Sequence, residues 1–276
     1  NEEEVLHETS ARLKEKMTSL INEGKVSDKS RIIFVNDGSR DKTWEIIEEL
    51  YNSDEIFGGI SLSRNKGHQN ALLAGLMTVK DECDAAISLD ADLQDDIDAI
   101  DKMVEKFGEG CEIVYGIRNK RSTDRFMKRF TAEGYYRLME FFGTHIIFNH
   151  ADYRLMSKKA LEALFEFDEV NLFLRGMVPM LGFKTGEVYY ERRERFAGES
   201  KYSVGKMLDL AWNGITSFSV KPVDMILFAG VLIAGFSAFA MLILAVLGIF
   251  GSLSGAQGWI IASVFLRAYI GNIKIR

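Results

Sequence analysis

The chain has 276 residues, of which 47% are hydrophobic and 27% are charged, with 2 cysteines and 2 prolines. This composition excludes collagen-like, disordered and disulfide-scaffold proteins. Its 34 basic and 40 acidic residues give a formal net charge of −6, which disfavours a nucleic-acid partner and requires any anion to be bound locally.

The chain to about residue 118 alternates short β-branched runs with helical patterns. We predict strands over 32–35, 60–62, 85–89 and 112–115, and helices beginning after an N-cap at Asp41, over 69–79 and over 97–107. This alternation is typical of a parallel sheet covered by helices, so we predict an α/β protein. Ligands of such sheets bind beyond the carboxyl ends of the strands, where the polar segments 36–39, 63–68 and 90–95 follow.

The segments after residue 118 are less regular. A basic stretch, 118–129, precedes an aromatic-rich helix that ends near residue 142 and a polar stretch over 149–154. We then predict a helix containing Leu161, Leu164 and Phe165, and a strand around 187–190. The spacing over 203–220 predicts an amphipathic helix, which suits either a bilayer surface or a protein core.

Residues 225–250 form an uncharged run of 26 residues. Such a run gives a helix of about 39 Å, so we predict a membrane span. A second apolar run, 259–266, is too short to cross a bilayer core of about 30 Å, and we expect a two-helix hairpin whose second helix is incomplete in this sequence. The flanking Lys221, Lys274 and Arg276 place both ends in the cytoplasm, with 251–258 outside. The predicted organisation is a cytoplasmic domain over 1–200, a juxtamembrane segment over 201–222 and a transmembrane hairpin over 223–276.

Two carboxylates, Asp90 and Asp92, follow the predicted strand 85–89 directly, and Gln94 comes shortly after them. An acidic pair of this kind is more often a solvated turn, but its position at a strand end changes the interpretation. Oxygen ligands placed there suit Mg²⁺ or Mn²⁺ bound together with phosphate oxygens.

Two other polar residues have a functional and a structural interpretation. Asp37 can accept hydrogen bonds from a nucleobase, although an ordinary strand-to-helix turn is the more frequent reason for such a residue. His68 can serve as an acid or base, although a polar residue at a helix start is the safer interpretation. The sequence contains neither a P-loop nor a Gly-x-Ser-x-Gly motif, which leaves P-loop transfer and serine hydrolysis unsupported.

Five motifs occur in a specific order along the chain. They are VNDGSRDKT at 35–43, RNKG at 64–67, DADLQD at 90–95, NHADYRL at 149–155 and RFAGESKY at 195–202. Together they resemble glycosyltransferase family 2, with its GT-A fold, and within it the polyisoprenyl-phosphate glycosyltransferases. This group includes dolichol-phosphate mannose synthases and bactoprenol glucosyltransferases, and the expected hairpin favours the bactoprenol branch.

The resemblance implies a role for each matching residue. Asp37 would recognise the base, while Asp90, Asp92 and Gln94 would hold Mg²⁺ or Mn²⁺ and the diphosphate. Arg118, with a basic residue such as Arg129, would meet lipid or donor phosphate. Asp152 would be the active-site carboxylate, and Arg195, Ser200 and Lys201 would bind phosphate next to the membrane. The chain departs from the family at Asp96, where relatives often carry proline, and in lacking the family's first strand before Asn1.

The implied activity is transfer of a hexose from a nucleotide-sugar to undecaprenyl phosphate, with inversion at the anomeric carbon. The expected donor is UDP-glucose, so the expected sugar is glucose. The lipid-linked sugar would then serve cell-surface glycan modification. The protein would be a multi-pass protein of the inner (plasma) membrane with a cytoplasmic catalytic domain, and its expected partners are the lipid bilayer, a flippase and further copies of itself. The alternatives are mannose transfer from GDP-mannose, a processive polysaccharide synthase and a non-catalytic nucleotide-sugar-binding membrane scaffold.

Overall fold

The computed structural model describes residues 1–119, 150–167, 174–191 and 221–249. The chain divides into two compact units, Asn1–Ser217 and Phe218–Arg276. The boundary between them falls inside the segment 201–222 that we expect next to the membrane.

The first unit begins with alternating helices and strands. These are α1 (Leu6–Asn22), β1 (Ile32–Asn36), α2 (Thr43–Ser53), β2 (Phe57–Ser61), α3 (His68–Val79), β3 (Ala85–Ser88), α4 (Ala99–Gly108) and β4 (Ile113–Arg118). Further along the chain lie β5 (His150–Ser157), α5 (Lys158–Phe165), α6 (Leu174–Met180) and β6 (Thr185–Tyr190). The described part of this unit is therefore an α/β structure.

The described residues of the first unit form two sheets, where the sequence predicts one parallel sheet. Strands β1 and β2 pair in parallel, and a second sheet has the order β3-β5-β4-β6. Strand β5 runs antiparallel to both of its neighbours, β3 and β4, while β6 is parallel to β4. The predicted strands up to residue 118 therefore run parallel to each other within each sheet, as expected, and β5, which was not predicted as a strand, adds an antiparallel member.

Burial follows the residue patterns of these elements. The apolar residues Leu6, Leu13 and Leu20 recur every seven positions along α1 and are buried on one face. Strand β4, which lies between β5 and β6, is buried along almost its whole length. Strand β6 alternates exposed and buried residues, as expected where one face of a strand contacts the core. One hydrophobic core joins α1, α2 and α4 to strands of both sheets.

Most predicted elements are found, with three differences. Helix α2 begins at Thr43 with Lys42 at the N-cap, so the prediction of Asp41 as N-cap is wrong; Asp41 instead accepts a hydrogen bond from the Thr43 N–H. The polar stretch 149–154 lies largely in β5. Helix α6 was not predicted. The predicted basic stretch beyond residue 119, the aromatic helix and the amphipathic helix over 203–220 lie outside the described residues.

The described part of the second unit is α7 (Lys221–Ile249). Its segment Val223–Leu247 is long and apolar enough to cross a bilayer, judged by length and composition. Its large apolar side chains are mostly exposed within the structure, which a helix surrounded by lipid tolerates and a core helix of a soluble protein does not. The predicted loop 251–258 and the second apolar run, 259–266, lie outside the described part of the chain, so the hairpin stays a prediction.

Candidate active site

The polar motifs meet at one edge of the four-stranded sheet because β5 is antiparallel to its neighbours. Its first residues lie beside the carboxyl ends of β3 and β4, with Arg154 in register with Ser88 and Tyr115. The Ser88 hydroxyl donates a hydrogen bond to the main-chain oxygen of Asp152. The described part of the motif 149–155, residues 150–155, is thereby placed against the turn that follows β3.

The turn over residues 90–95 is held in an unusual conformation. Leu93 has a φ of 57°, in the left-handed region, and its side chain is buried. This backbone state costs an L-residue about 1–2 kcal/mol, so the surrounding contacts must impose it. Asp92 Oδ1 accepts from the Gln94 N–H at 3.1 Å, and the Thr9 hydroxyl of α1 donates to the Ala91 carbonyl at 2.8 Å. The turn is therefore held by one hydrogen bond within it and by another from α1.

Acidic side chains surround this turn and influence one another. Burial raises the pKa of Asp90, and the charges of Asp95, Asp92 and Asp152 raise it further, against an opposing effect of His68. A buried carboxylate among other carboxylates is stabilised in its charged form by a cation.

The predicted metal ligands fit a divalent ion that is shared with a phosphate group. Asp90, Asp92 and Gln94 offer only oxygen donors, which Mg²⁺ and Mn²⁺ prefer. Among the residues that the structure describes, no three His, Cys, Asp or Glu side chains are gathered as ligands of one ion. Magnesium in proteins is commonly held by one or two carboxylates with phosphate oxygens and waters completing the shell, which matches this donor set.

Asp95 is buried next to the turn and binds Arg118 at the end of β4. Its Oδ1 accepts from Arg118 Nη2 at 3.1 Å and from the Tyr190 hydroxyl at 2.6 Å. Its Oδ2 is buried without a hydrogen-bond partner within the described ranges. Arg118, which the sequence predicts to meet phosphate, thus lies at the site with its guanidinium against Asp95.

Asp152 is the centre of a charged cluster that we call the Asp152 cluster, comprising Asp152, Arg154, Arg175 and His68. Its Oδ1 accepts from Arg154 Nη2 at 2.6 Å and from Arg175 Nε at 3.3 Å. Its Oδ2 accepts from Arg175 Nη2 at 3.2 Å and lies 3.1 Å from His68 Nε2. Burial alone would raise the pKa of Asp152, but the hydrogen bond with His68 and the charges of Arg175 and Arg154 hold it well below its usual range. Asp152 is therefore a fixed anion and a poor proton acceptor.

Asp37 joins the loop after β1 to the loop before α3. Its Oδ1 accepts from the Lys66 N–H at 2.6 Å and its Oδ2 from the Gly67 N–H at 2.9 Å. The Asn65 side chain donates to the Asp37 carbonyl at 3.0 Å. Each carboxylate oxygen retains lone-pair capacity for a further donor, so these contacts are compatible with the predicted recognition of a base.

The same two loops approach so closely that only glycine fits at position 38. Gly38 has a φ of +65°, and a Cβ there would lie 2.6 Å from the Asn65 N atom. Gly24 has a similar φ of +68° with open space around it. We expect Gly38→Ala to lose at least about 1 kcal/mol more unfolding free energy than Gly24→Ala, because both substitutions strain the backbone but only the first causes a clash. Equal losses in urea denaturation would contradict the close approach.

The structure brings together most of the predicted site residues that it describes, and it adds others. Asp90, Asp92, Gln94, Arg118 and Asp152 lie around the ends of β3, β4 and β5. Arg154 and Arg175 were not predicted, although Arg154 stands within the motif 149–155. His68 was assigned to a helix start, and it also contacts Asp152. The remaining predicted residues lie outside the described part of the chain; these are Arg129, Arg195, Ser200 and Lys201.

Comparison with known proteins gives the same family as the motifs. The model of Glycosyl transferase family 2 matches residues 1–165, more than half of the chain. The uncharacterized glycosyltransferase YkoT of Bacillus subtilis (strain 168) is 52% identical over 240 residues, which cover 87% of this chain and 71% of that protein. The bactoprenol glucosyl transferase of Shigella phage SfX is 42% identical over 207 residues, covering 75% of this chain and 67% of that protein. The prophage bactoprenol glucosyl transferase homolog of Escherichia coli (strain K12) is 41% identical over 204 residues, with coverages of 74% and 66%. The mixed α/β sheets are consistent with a GT-A fold, and the chain belongs to glycosyl transferase family 2 and is a glycosyltransferase.

Proposed function

We propose that this glycosyltransferase transfers glucose from UDP-glucose to a polyprenyl phosphate, undecaprenyl phosphate in bacteria, with inversion at the anomeric carbon. The names of the relatives at 41–42% identity support a bactoprenol acceptor and a glucosyl group. The candidate membrane helix Val223–Leu247 supports a lipid-soluble substrate.

The observation that carries the proposal is the set of contacts that Asp152 makes. A sugar hydroxyl acceptor needs a base to remove its proton, whereas both carboxylate oxygens of Asp152 are already engaged by Arg154, Arg175 and His68. A phosphate acceptor carries its own oxyanion. This oxygen attacks the anomeric carbon on the face opposite the nucleotide, a new carbon–oxygen bond forms, and the bond to the β-phosphate oxygen breaks with its electron pair leaving on UDP. The site then has to bring two anions together and stabilise the departing diphosphate.

The described residues divide these tasks. Asp37 would bind the base of the donor, and Asp152 would orient the groups around the sugar and the acceptor. Asp90, Asp92 and Gln94 would hold Mg²⁺ or Mn²⁺, which when bound neutralises charge on the diphosphate. Arg118 is held by Asp95 beside the same turn, where its charge favours phosphate.

The expected location and partners follow from the substrates. Nucleotide-sugars are cytoplasmic, so the catalytic unit would face the cytoplasm with a two-helix hairpin in the membrane. A flippase would receive the lipid-linked sugar, and the protein would assemble with further copies of itself. Arg129, Arg195, Ser200 and Lys201 would contribute phosphate contacts near the bilayer.

The test is transfer by the full chain in detergent, with UDP-glucose and undecaprenyl phosphate. We expect UDP release only when the lipid phosphate is present, in a 1:1 ratio with glucosyl lipid. Omission of the lipid is the control, and GDP-mannose in place of UDP-glucose examines the donor. UDP release that does not depend on the lipid, or a polymer that grows without it, would contradict the proposal. Preference for GDP-mannose would refute the assignment of glucose.

A further inference from the structure

The Asp152 cluster gathers two guanidinium groups and an imidazole around one carboxylate. Asp152 and Arg154 form an ion pair at 2.6 Å, and their side chains are only 8% and 1% exposed. This buried pair is already neutral. His68 and Arg175 then bind the same carboxylate, although their side chains are 50% and 33% exposed. The two additional groups therefore lie on the solvent side of a neutral pair.

A hydrogen bond outside the charged groups fixes His68 and Arg175 side by side. The Leu174 N–H at the start of α6 donates to Gln69 Oε1 at 3.0 Å, and Gln69 follows His68 in α3. The Leu174 carbonyl accepts from Arg154 Nη1 at 3.4 Å. The first turns of α3 and α6 are thereby joined, which places the imidazole and the guanidinium on one carboxylate.

The chemistry of these two groups suits an anion. The hydrogen bond to Asp152 raises the pKa of His68 against the effect of burial, and the charge of Asp90 adds to the increase. Arg154, Arg175 and His68 all contact the single carboxylate of Asp152, and the last two are the ones that solvent reaches. Guanidinium and imidazolium groups donate charge-assisted hydrogen bonds, which are strong toward phosphate oxygens.

We propose that His68 and Arg175 form a phosphate-binding pair, with Asp152 and Gln69 as the residues that position it. The phosphate belongs either to the nucleoside diphosphate of the donor or to the polyprenyl phosphate acceptor. The choice of these two ligands rests on the proposed function. Both sources present the same non-bridging oxygens.

The test measures two dissociation constants for the full chain in detergent, one for UDP and one for undecaprenyl phosphate. The variants are Arg175→Gln and His68→Gln. The control is Arg12→Gln, which removes an arginine from a surface ion pair with Glu8 on α1. We expect Arg175→Gln to raise one constant at least about tenfold, equal to about 1.4 kcal/mol, and Arg12→Gln to change neither more than about twofold. A rise for UDP assigns the pair to the donor, and a rise for the lipid alone assigns it to the acceptor.

The variants also separate binding from folding. Arg175→Lys retains the charge without the planar fork and should give an intermediate loss. Were Arg175→Gln to misfold, His68→Gln would decide, since its side chain is half-exposed. Unchanged affinity for both ligands, with only a lower melting temperature, would show a structural network and overturn the pair. A wild type that binds these ligands without transferring glucose would refute the proposed function alone, and one that binds neither would refute both.

Discussion

Replacing Asp152 with asparagine is expected to lower the melting temperature of the catalytic unit by roughly 10 °C, a loss of about 3–5 kcal/mol. The substitution preserves shape but leaves Arg154, a guanidinium that is 1% exposed, without its counter-charge. It also weakens the contacts with His68 and Arg175. Thermal unfolding followed by circular dichroism measures the loss.

Two further variants test the physical reason for this loss. Asp54→Asn removes a carboxylate from a surface pair with Lys14 and should lower the melting temperature far less than Asp152→Asn. Adding Arg154→Met to Asp152→Asn should recover part of the stability, because it removes the unpaired buried charge. If Asp152→Asn melts like Asp54→Asn, the buried pair is not what stabilises this region.

Replacing Asp92 with asparagine is expected to lower kcat/KM for glucosyl transfer at least about 100-fold, equal to about 2.7 kcal/mol, with the melting temperature nearly unchanged. Asp92 is only partly buried, and asparagine can still accept the hydrogen bond from the Gln94 N–H. The change therefore removes a negative charge from the proposed cation site while keeping the turn. Excess EDTA should abolish wild-type activity, and Mg²⁺ or Mn²⁺ should restore it.

Asp98→Asn is the matched control for this variant. Asp98 lies six residues further along the same acidic segment and pairs with Lys16 at the surface, and its side chain is 68% exposed. It should retain wild-type kcat/KM. Wild-type turnover by Asp92→Asn, or activity that persists in EDTA, would refute the assignment of Asp92 to a metal site.

Local sequence patterns predicted the elements that have a regular apolar face, such as α2, α3 and α5. They failed at β5, where Asp152 and Arg154 are polar but buried and give the stretch the composition of a loop. The two side chains form an ion pair with each other, which allows them to be buried in the strand, and this pairing cannot be recognised from the sequence alone. The antiparallel direction of β5 was equally hidden, because its partners β3 and β4 precede it by many residues.

The residues of the candidate site could likewise be predicted only in part from the sequence. Asp37, Asp90, Asp92, Gln94 and Asp152 could be selected because they stand in motifs or follow predicted strands. Arg175 stands in no motif, and its place in the site depends on a contact between α6 and α3. The prediction that His68 lies at a helix start is confirmed, since it is the first residue of α3. Its contact with Asp152 could not be predicted, because the two residues come together only in the folded chain.

The position of β5 also sets the order in which the site can be assembled. Ser88 and Asp152 are 64 residues apart, His68 and Asp152 are 84 apart, and Gln69 and Leu174 are 105 apart. Contacts between residues so far apart in the sequence form slowly. At about 5–20 residues per second, the ribosome needs about 3–13 s after finishing β3 to produce Asp152. The residues of the turn at Asp90 are therefore synthesised before those of the Asp152 cluster, and the cluster can be completed only after β5 has inserted between β3 and β4.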